Sequence, residues 1–108
     1  MRRLCVVLLM MVSSLVMFQS PASAATCSVA WADKDSLATT TNQETSAYKG
    51  PYTSCAQVFL PGIGANVNLD CYTVNSNGVS WTHVHAGGKV GWIPGSRLSD
   101  GGSIHPCL

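Results

Sequence analysis

Four cysteines, Cys27, Cys55, Cys71 and Cys107, lie in the last 84 of the chain's 108 residues, and they constrain its fold more than any other feature. The fifth, Cys5, stands apart in an apolar run from Leu4 to Phe18 that follows Arg2 and Arg3. Gln19, Ser20, Pro21 and the small residues Ala22-Ser23-Ala24 come next. A basic start, about 15 apolar residues and a small-x-small site have the pattern of a secretory signal peptide, with cleavage expected after Ala24. The run is shorter than the about 20 residues that span a bilayer. Removing this leader removes the odd cysteine, and an even number in a short exported chain reads as two disulfides. A domain this small buries only somewhat over half of its unfolded surface, so covalent staples are physically useful, and export supplies the oxidising compartment that keeps them closed. No Cys-x-x-Cys pair suggests zinc or thioredoxin-like chemistry instead. Ala24-Ala25-Thr26 also makes a poor lipidation signal before Cys27.

Four cysteines allow three pairings. The β-prone runs 57–60 and 66–72 flank Pro61-Gly62-Ile63-Gly64, a strong turn signal. Folded as a hairpin with Leu60 opposite Val67 and Val58 opposite Leu69, they bring Cys55 within one position of Cys71. A bulge near Ala56 would reconcile the register. This geometry favours Cys55–Cys71, worth about 3 kcal/mol in the chain-entropy model, and leaves Cys27–Cys107 to tie the ends together at about 4.5 kcal/mol.

Without the leader, Lys34, Lys49, Lys89 and Arg97 face Asp33, Asp35, Glu44, Asp70 and Asp100, a net charge of −1. Hydrophobic residues number 34 of 84, and all ten glycines lie in this part. These figures exclude a basic nucleic-acid footprint, a membrane-spanning protein and a multidomain chain. One exported domain, residues 25–108, remains. Its short β-prone segments and spread of Gly, Pro, Ser, Thr and Asn predict an all-β fold, a small disulfide-stapled barrel of five to seven strands. The predicted strands are 27–31, 37–41, 56–60, 67–74, 79–85 and 89–93, with a last short piece at 97–98. Residues 42–54 form a long polar loop bearing Tyr48 and Tyr52, the kind of segment in which binding often resides.

The clearest unit spans residues 79–93. Ala86-Gly87-Gly88 reads as its turn, pairing Val84 with Val90 and Thr82 with Trp92. Val84, Val90 and Trp92 then share a core face, opposite Trp81, His83, His85, Lys89 and Ile93. Trp81-Thr82-His83-Val84 followed by Gly87-Gly88-Lys89-Val90-Gly91-Trp92-Ile93-Pro94-Gly95-Ser96-Arg97-Leu98 resembles the C-terminal half of SH3-like domains, above all the bacterial, exported SH3b-type branch. The resemblance covers residues 37–98. It implies an SH3-like barrel and a binding module for peptide or cell-wall peptide stems. Trp81 matches the family's groove tryptophan and Pro94 its groove proline. Arg97 stands where proline-peptide binders carry a tyrosine, and Glu44 alone represents their acidic loop.

His83 and His85, two residues apart on a strand, project to one face. Two imidazoles can begin a zinc or copper site, with His105 or Asp70 as a third ligand from elsewhere. A solvated strand face beside Trp81 and Lys89 is the plainer reading, so neither a metal nor a cofactor is expected. Trp81, Tyr48 and Tyr52 could line a groove between the long loop and the hairpin, since aromatic platforms give rigid contact area at low entropic cost; Trp92 belongs in the core. With Pro94 and Arg97 they are the candidate ligand-binding residues. There is no G-x-S-x-G, H-E-x-x-H or phosphate loop, so no catalytic residue is assigned and an enzyme is not expected. The sequence thus predicts a secreted, monomeric, non-catalytic module binding peptide or cell-wall material, without nucleic-acid or membrane partners. A secreted protease inhibitor or toxin-like protein presenting loop 42–54 is the alternative, and an envelope component without a specific ligand is the third reading.

Overall fold

The computed structural model describes residues 26–108; the expected signal peptide lies outside the described residues. The fold is all-β. Strands β1 (Ala38–Thr40), β2 (Ala47–Tyr48), β3 (Gln57–Phe59), β4 (Asn66–Val74), β5 (Ser80–Ala86) and β6 (Lys89–Pro94) are followed by a 3₁₀ turn, Gly95–Arg97. They form one antiparallel sheet in the order β1-β4-β5-β6-β2-β3. The sheet does not close, so β1 and β3 are its edges rather than neighbours in the expected barrel. None of the described residues belongs to a helix long and apolar enough to cross a membrane.

The meander β4-β5-β6 carries most of the sheet. Gly87 and Gly88 both have positive φ (58° and 82°), which makes a two-residue turn and pairs Ala86 with Lys89. Two such residues in succession match the twist of the strands they join. The expected three-residue turn is therefore wrong by one position: Val84 pairs with Gly91, His83 with Trp92 and Thr82 with Ile93. A slip of one residue exchanges faces along a strand. Trp81, His83 and Trp92 consequently share one face, and Val84 and Ile93 share the other.

Both faces are buried. Ala47, Val67, Leu69, Val84, Ile93 and Leu98 form an aliphatic cluster, with Phe59 and Ala86 packed against it. Tyr48, Cys55, Cys71, Trp81, Trp92 and Cys107 form a second, aromatic and disulfide-lined cluster, flanked by Cys27, Val29 and Tyr52. Burial on both sides hides the polar-out alternation that marks a one-sided strand. At Gly91 an added Cβ would lie 2.9 Å from the Cβ of Ala47, so glycine permits β6 to approach β2.

The predicted hairpin between residues 57–60 and 66–72 does not form. β3 pairs with β2, and β4 pairs with β1. The intervening turn wraps Thr41 instead: the Thr41 amide donates to Ala65 O (3.0 Å), Gly64 N donates to Thr41 O (2.9 Å), and the Thr41 hydroxyl bonds Gly62 O. Without the hairpin, the expected cysteine pairing fails as well. The disulfides are Cys27–Cys55 and Cys71–Cys107.

Each disulfide straps an end of the chain to the sheet. Segment 27–31, expected as a strand, is irregular, and Cys27–Cys55 together with Lys34 N→Asp70 O (2.8 Å) hold this arm down. At the other end Tyr72 N donates to His105 O (2.8 Å) and Cys107 N to Tyr72 O (2.9 Å), beside Cys71–Cys107. The expected strand piece at 97–98 is the end of the 3₁₀ turn, with Leu98 bridging Thr41. Segment 42–54 is no free loop: it contains β2, and Thr45, Ser46, Ala47 and Tyr48 are buried.

Candidate functional site

Pairing of Trp81 with Pro94 across β5 and β6 sets the floor of a groove. The 3₁₀ turn immediately after Pro94 brings Ser96 and Arg97 to one wall, and the β4–β5 connection supplies Asn75, Asn77 and Val79. Tyr52, Thr53 and Ser54 close the other side, giving a cavity of about 340 Å³. Four of the five residues singled out from the sequence therefore converge: Tyr52, Trp81, Pro94 and Arg97. Tyr48 does not join them there. It is buried behind Trp81, edge-on at 5.6 Å between ring centroids, and lines the adjoining recess with Arg97, Glu44 and Thr45.

Local hydrogen bonds fix the groove's walls. The Tyr52 hydroxyl lies 2.8 Å from Ser76 Oγ and accepts from Ser76 N at 3.0 Å. These bonds hold the Tyr52 hydroxyl's pKa below its ordinary value. Asn75 Oδ1 accepts from the amides of Asn77 (3.0 Å) and Val79 (3.1 Å), while its Nδ2 donates to Pro51 O at 2.7 Å. An Asx-type turn of this kind gives the connection its shape without a longer strand. Arg97 donates to Thr45 Oγ1 at 3.1 Å, which ties it to the adjoining recess that Thr45 lines.

Trp81 is only 3% exposed, so it is part of the groove's floor rather than the projecting platform expected from sequence. Its indole Nε1 is buried and makes no hydrogen bond, the one such side-chain atom among the described residues. A buried donor without a protein partner costs about 1–3 kcal/mol.

The histidines are placed differently from the solvated face expected. His83 is buried, stacked on Trp31 (centroids 3.8 Å apart) and edge-on to Trp92 at 5.0 Å. His85 is partly exposed. Between them lies Asp70, whose side chain is fully buried: His83 Nδ1 is 2.7 Å from Oδ2 and His85 Nδ1 is 2.6 Å from Oδ1. The pairing of β4 with β5 skips a residue between Leu69 and Cys71, so Asp70 is the extra residue of a β-bulge. Bulges re-aim side chains, and this one turns Asp70 onto the histidines' face. Burial lowers the pKa of His83 below its ordinary value, more than the hydrogen bond and charge of Asp70 raise it. His105 is elsewhere, exposed beside Ser103 and Asp35.

Compared with models of known families, with curated proteins and with solved structures, the chain matches none.

Asn75, Asn77 and Val79 were not foreseen in the groove. Their signal was present as Asn75-Ser76-Asn77-Gly78, a turn composition that marks a loop without showing what it faces. Asp33 and Trp31, which lie on the irregular arm, had no periodicity to reveal their positions.

Proposed function

We propose that the chain is an exported, non-catalytic binding module of the SH3-like, bacterial SH3b type, whose groove takes an extended peptide segment, including the peptide stems of cell-wall material. The convergence of Tyr52, Trp81, Pro94 and Arg97 on one groove carries this reading. The glycine-turned meander followed by a 3₁₀ turn supports the SH3-like assignment, and two disulfides suit an oxidising environment.

The chemistry of the walls fits such a ligand. Tyr52 gives rigid apolar area over the buried Trp81, Asn75 and Asn77 offer amide groups to a peptide backbone, and Arg97 supplies a cation for a carboxylate. The inhibitor reading depended on a protruding loop at 42–54; with Thr45–Tyr48 buried, no observation favours it over the groove.

Retention on purified peptidoglycan tests the proposal. The wild-type protein is expected to be retained, and Arg97→Ala and Tyr52→Ala, both at the rim, to be largely lost to the flow-through. Absence of wild-type retention removes the cell-wall ligand, and undiminished retention of both variants removes the groove.

A further inference from the structure

The Asp70 bulge gathers a second set of groups, unrelated to the groove. Asp33, on the arm tied to β4 through Lys34 N→Asp70 O, joins Asp70 and His85 so that one donor atom from each lies within 4.8 Å of the others. Burial runs from Asp70, which is sealed, through the partly exposed His85 to the exposed Asp33. A recess of about 310 Å³ lined by Trp31, Asp33, Asp70, His85, Lys89 and Val90 opens onto them.

Charge sets this cluster apart from an ordinary hydrogen-bonded network. Two carboxylates approach one another, yet among the described residues no Lys or Arg nitrogen lies within 4.0 Å of either. Lys89 lines the recess without pairing with them. The imidazoles satisfy one lone pair on each Asp70 oxygen, and each oxygen retains another. A buried carboxylate close to a second one is offset by a cation or by protonation.

We infer that Asp33, Asp70 and His85 form a binding site for a first-row divalent cation of the Zn²⁺ type. Two carboxylate oxygens and one imidazole nitrogen are donors that such an ion accepts at about 2.0–2.2 Å, with a fourth position left for water. Asp70 and His85 stand 2.6 Å apart, closer than two ligands of one ion, so binding requires the half-exposed His85 to give up its hydrogen bond to Asp70. His83 acts from behind: its Nδ1–H fixes Asp70 in orientation, as outer partners of metal ligands do. Ca²⁺ prefers six to eight oxygen ligands and finds too few here.

Calorimetric titration of the intact, disulfide-bonded protein with Zn²⁺ tests the site. One ion per chain is expected to bind, with Ca²⁺ giving no heat of binding under the same conditions. Asp33→Asn changes an exposed position and leaves the fold's thermal transition in place, whereas His85→Ala removes a hydrogen bond from buried Asp70 and is read beside its own thermal transition. Each should weaken Zn²⁺ binding by more than the about 10–100-fold that loss of an outer partner costs, whereas His105→Ala should bind as the wild type does. Absence of Zn²⁺ binding by the wild type, undiminished binding in the Asp33→Asn, His85→Ala double variant, loss in His105→Ala, or equal binding of Ca²⁺ would each overturn the assignment.

Discussion

Gly91 and Asp35 show how single residues hold this sheet and its straps. A Cβ at Gly91 meets the Cβ of Ala47 at 2.9 Å, so Gly91→Ala must push β2 away from β6. The expected cost is about 1–3 kcal/mol, a fall of about 4–8 °C in Tm for each kcal/mol, readable by thermal unfolding. Asp35 ties the N-terminal arm to the C-terminal tail: its Oδ2 accepts from Ser103 Oγ at 2.7 Å and its Oδ1 from Leu37 N at 2.9 Å. Burial alone would raise its carboxyl, but Ser103, the Leu37 and Ser36 amides and the charge of His105 together hold it below the ordinary 3.8. The folded protein therefore binds this proton less readily than the unfolded chain. The resulting stability is fully present above the unfolded value and disappears as pH falls through the lower folded one. Unfolding measured from about pH 6 to about pH 2 should show a steeper acid loss in the wild type than in Asp35→Asn. At this scale the sequence was legible where residue type decides the outcome, as for Trp92 in the core. It was not legible at His83, whose burial depends on Trp31 stacking from an arm with no periodic pattern.

Among the elements, the turn at Gly87-Gly88 decides which face each residue of β5 and β6 occupies. Both positions need the left-handed conformation, which costs a side-chain-bearing residue about 1–2 kcal/mol. Gly88→Val should therefore lower stability by more than about 1 kcal/mol, while Gly87→Asn, an Asn-Gly sequence favoured in this turn, should leave it nearly unchanged. Chemical denaturation of the two variants checks the contrast. The hairpin itself was legible from its glycines and flanking aliphatic residues. Its register was not, because Ala86 reads equally as the first residue of a three-residue turn. The misplaced partner of β3 has a related cause. Thr41 supplies both a backbone and a side-chain anchor for the turn at 61–65, and nothing local to that turn reveals so distant a partner.

Over the whole molecule, two successive disulfide loops replace the nested pair suggested by the sequence. Their closing residues are 28 and 36 positions apart, and the chain-entropy model assigns each about 3.5–4 kcal/mol. Non-reducing peptide mapping should recover Cys27 with Cys55 and Cys71 with Cys107, and no Cys55–Cys71 peptide. Because each bridge pins a terminal segment, opening Cys71–Cys107 should release the tail around His105, and opening Cys27–Cys55 should release the arm that carries Trp31 and Asp33. The all-β class and the presence of two disulfides were legible from composition and cysteine number. Pairing was not, since it follows from how irregular segments cross the sheet.

The proposed function rests on the groove, and a nuclear magnetic resonance titration tests it most directly. The isotopically labelled protein would be titrated with soluble peptide stems released from cell-wall material. Peptide binding in the groove predicts shifts confined to Tyr52, Asn75, Asn77, the Trp81 indole N–H and Arg97, with the aliphatic cluster around Val84 undisturbed. Shifts centred elsewhere on the molecule, or none at millimolar ligand, would contradict it.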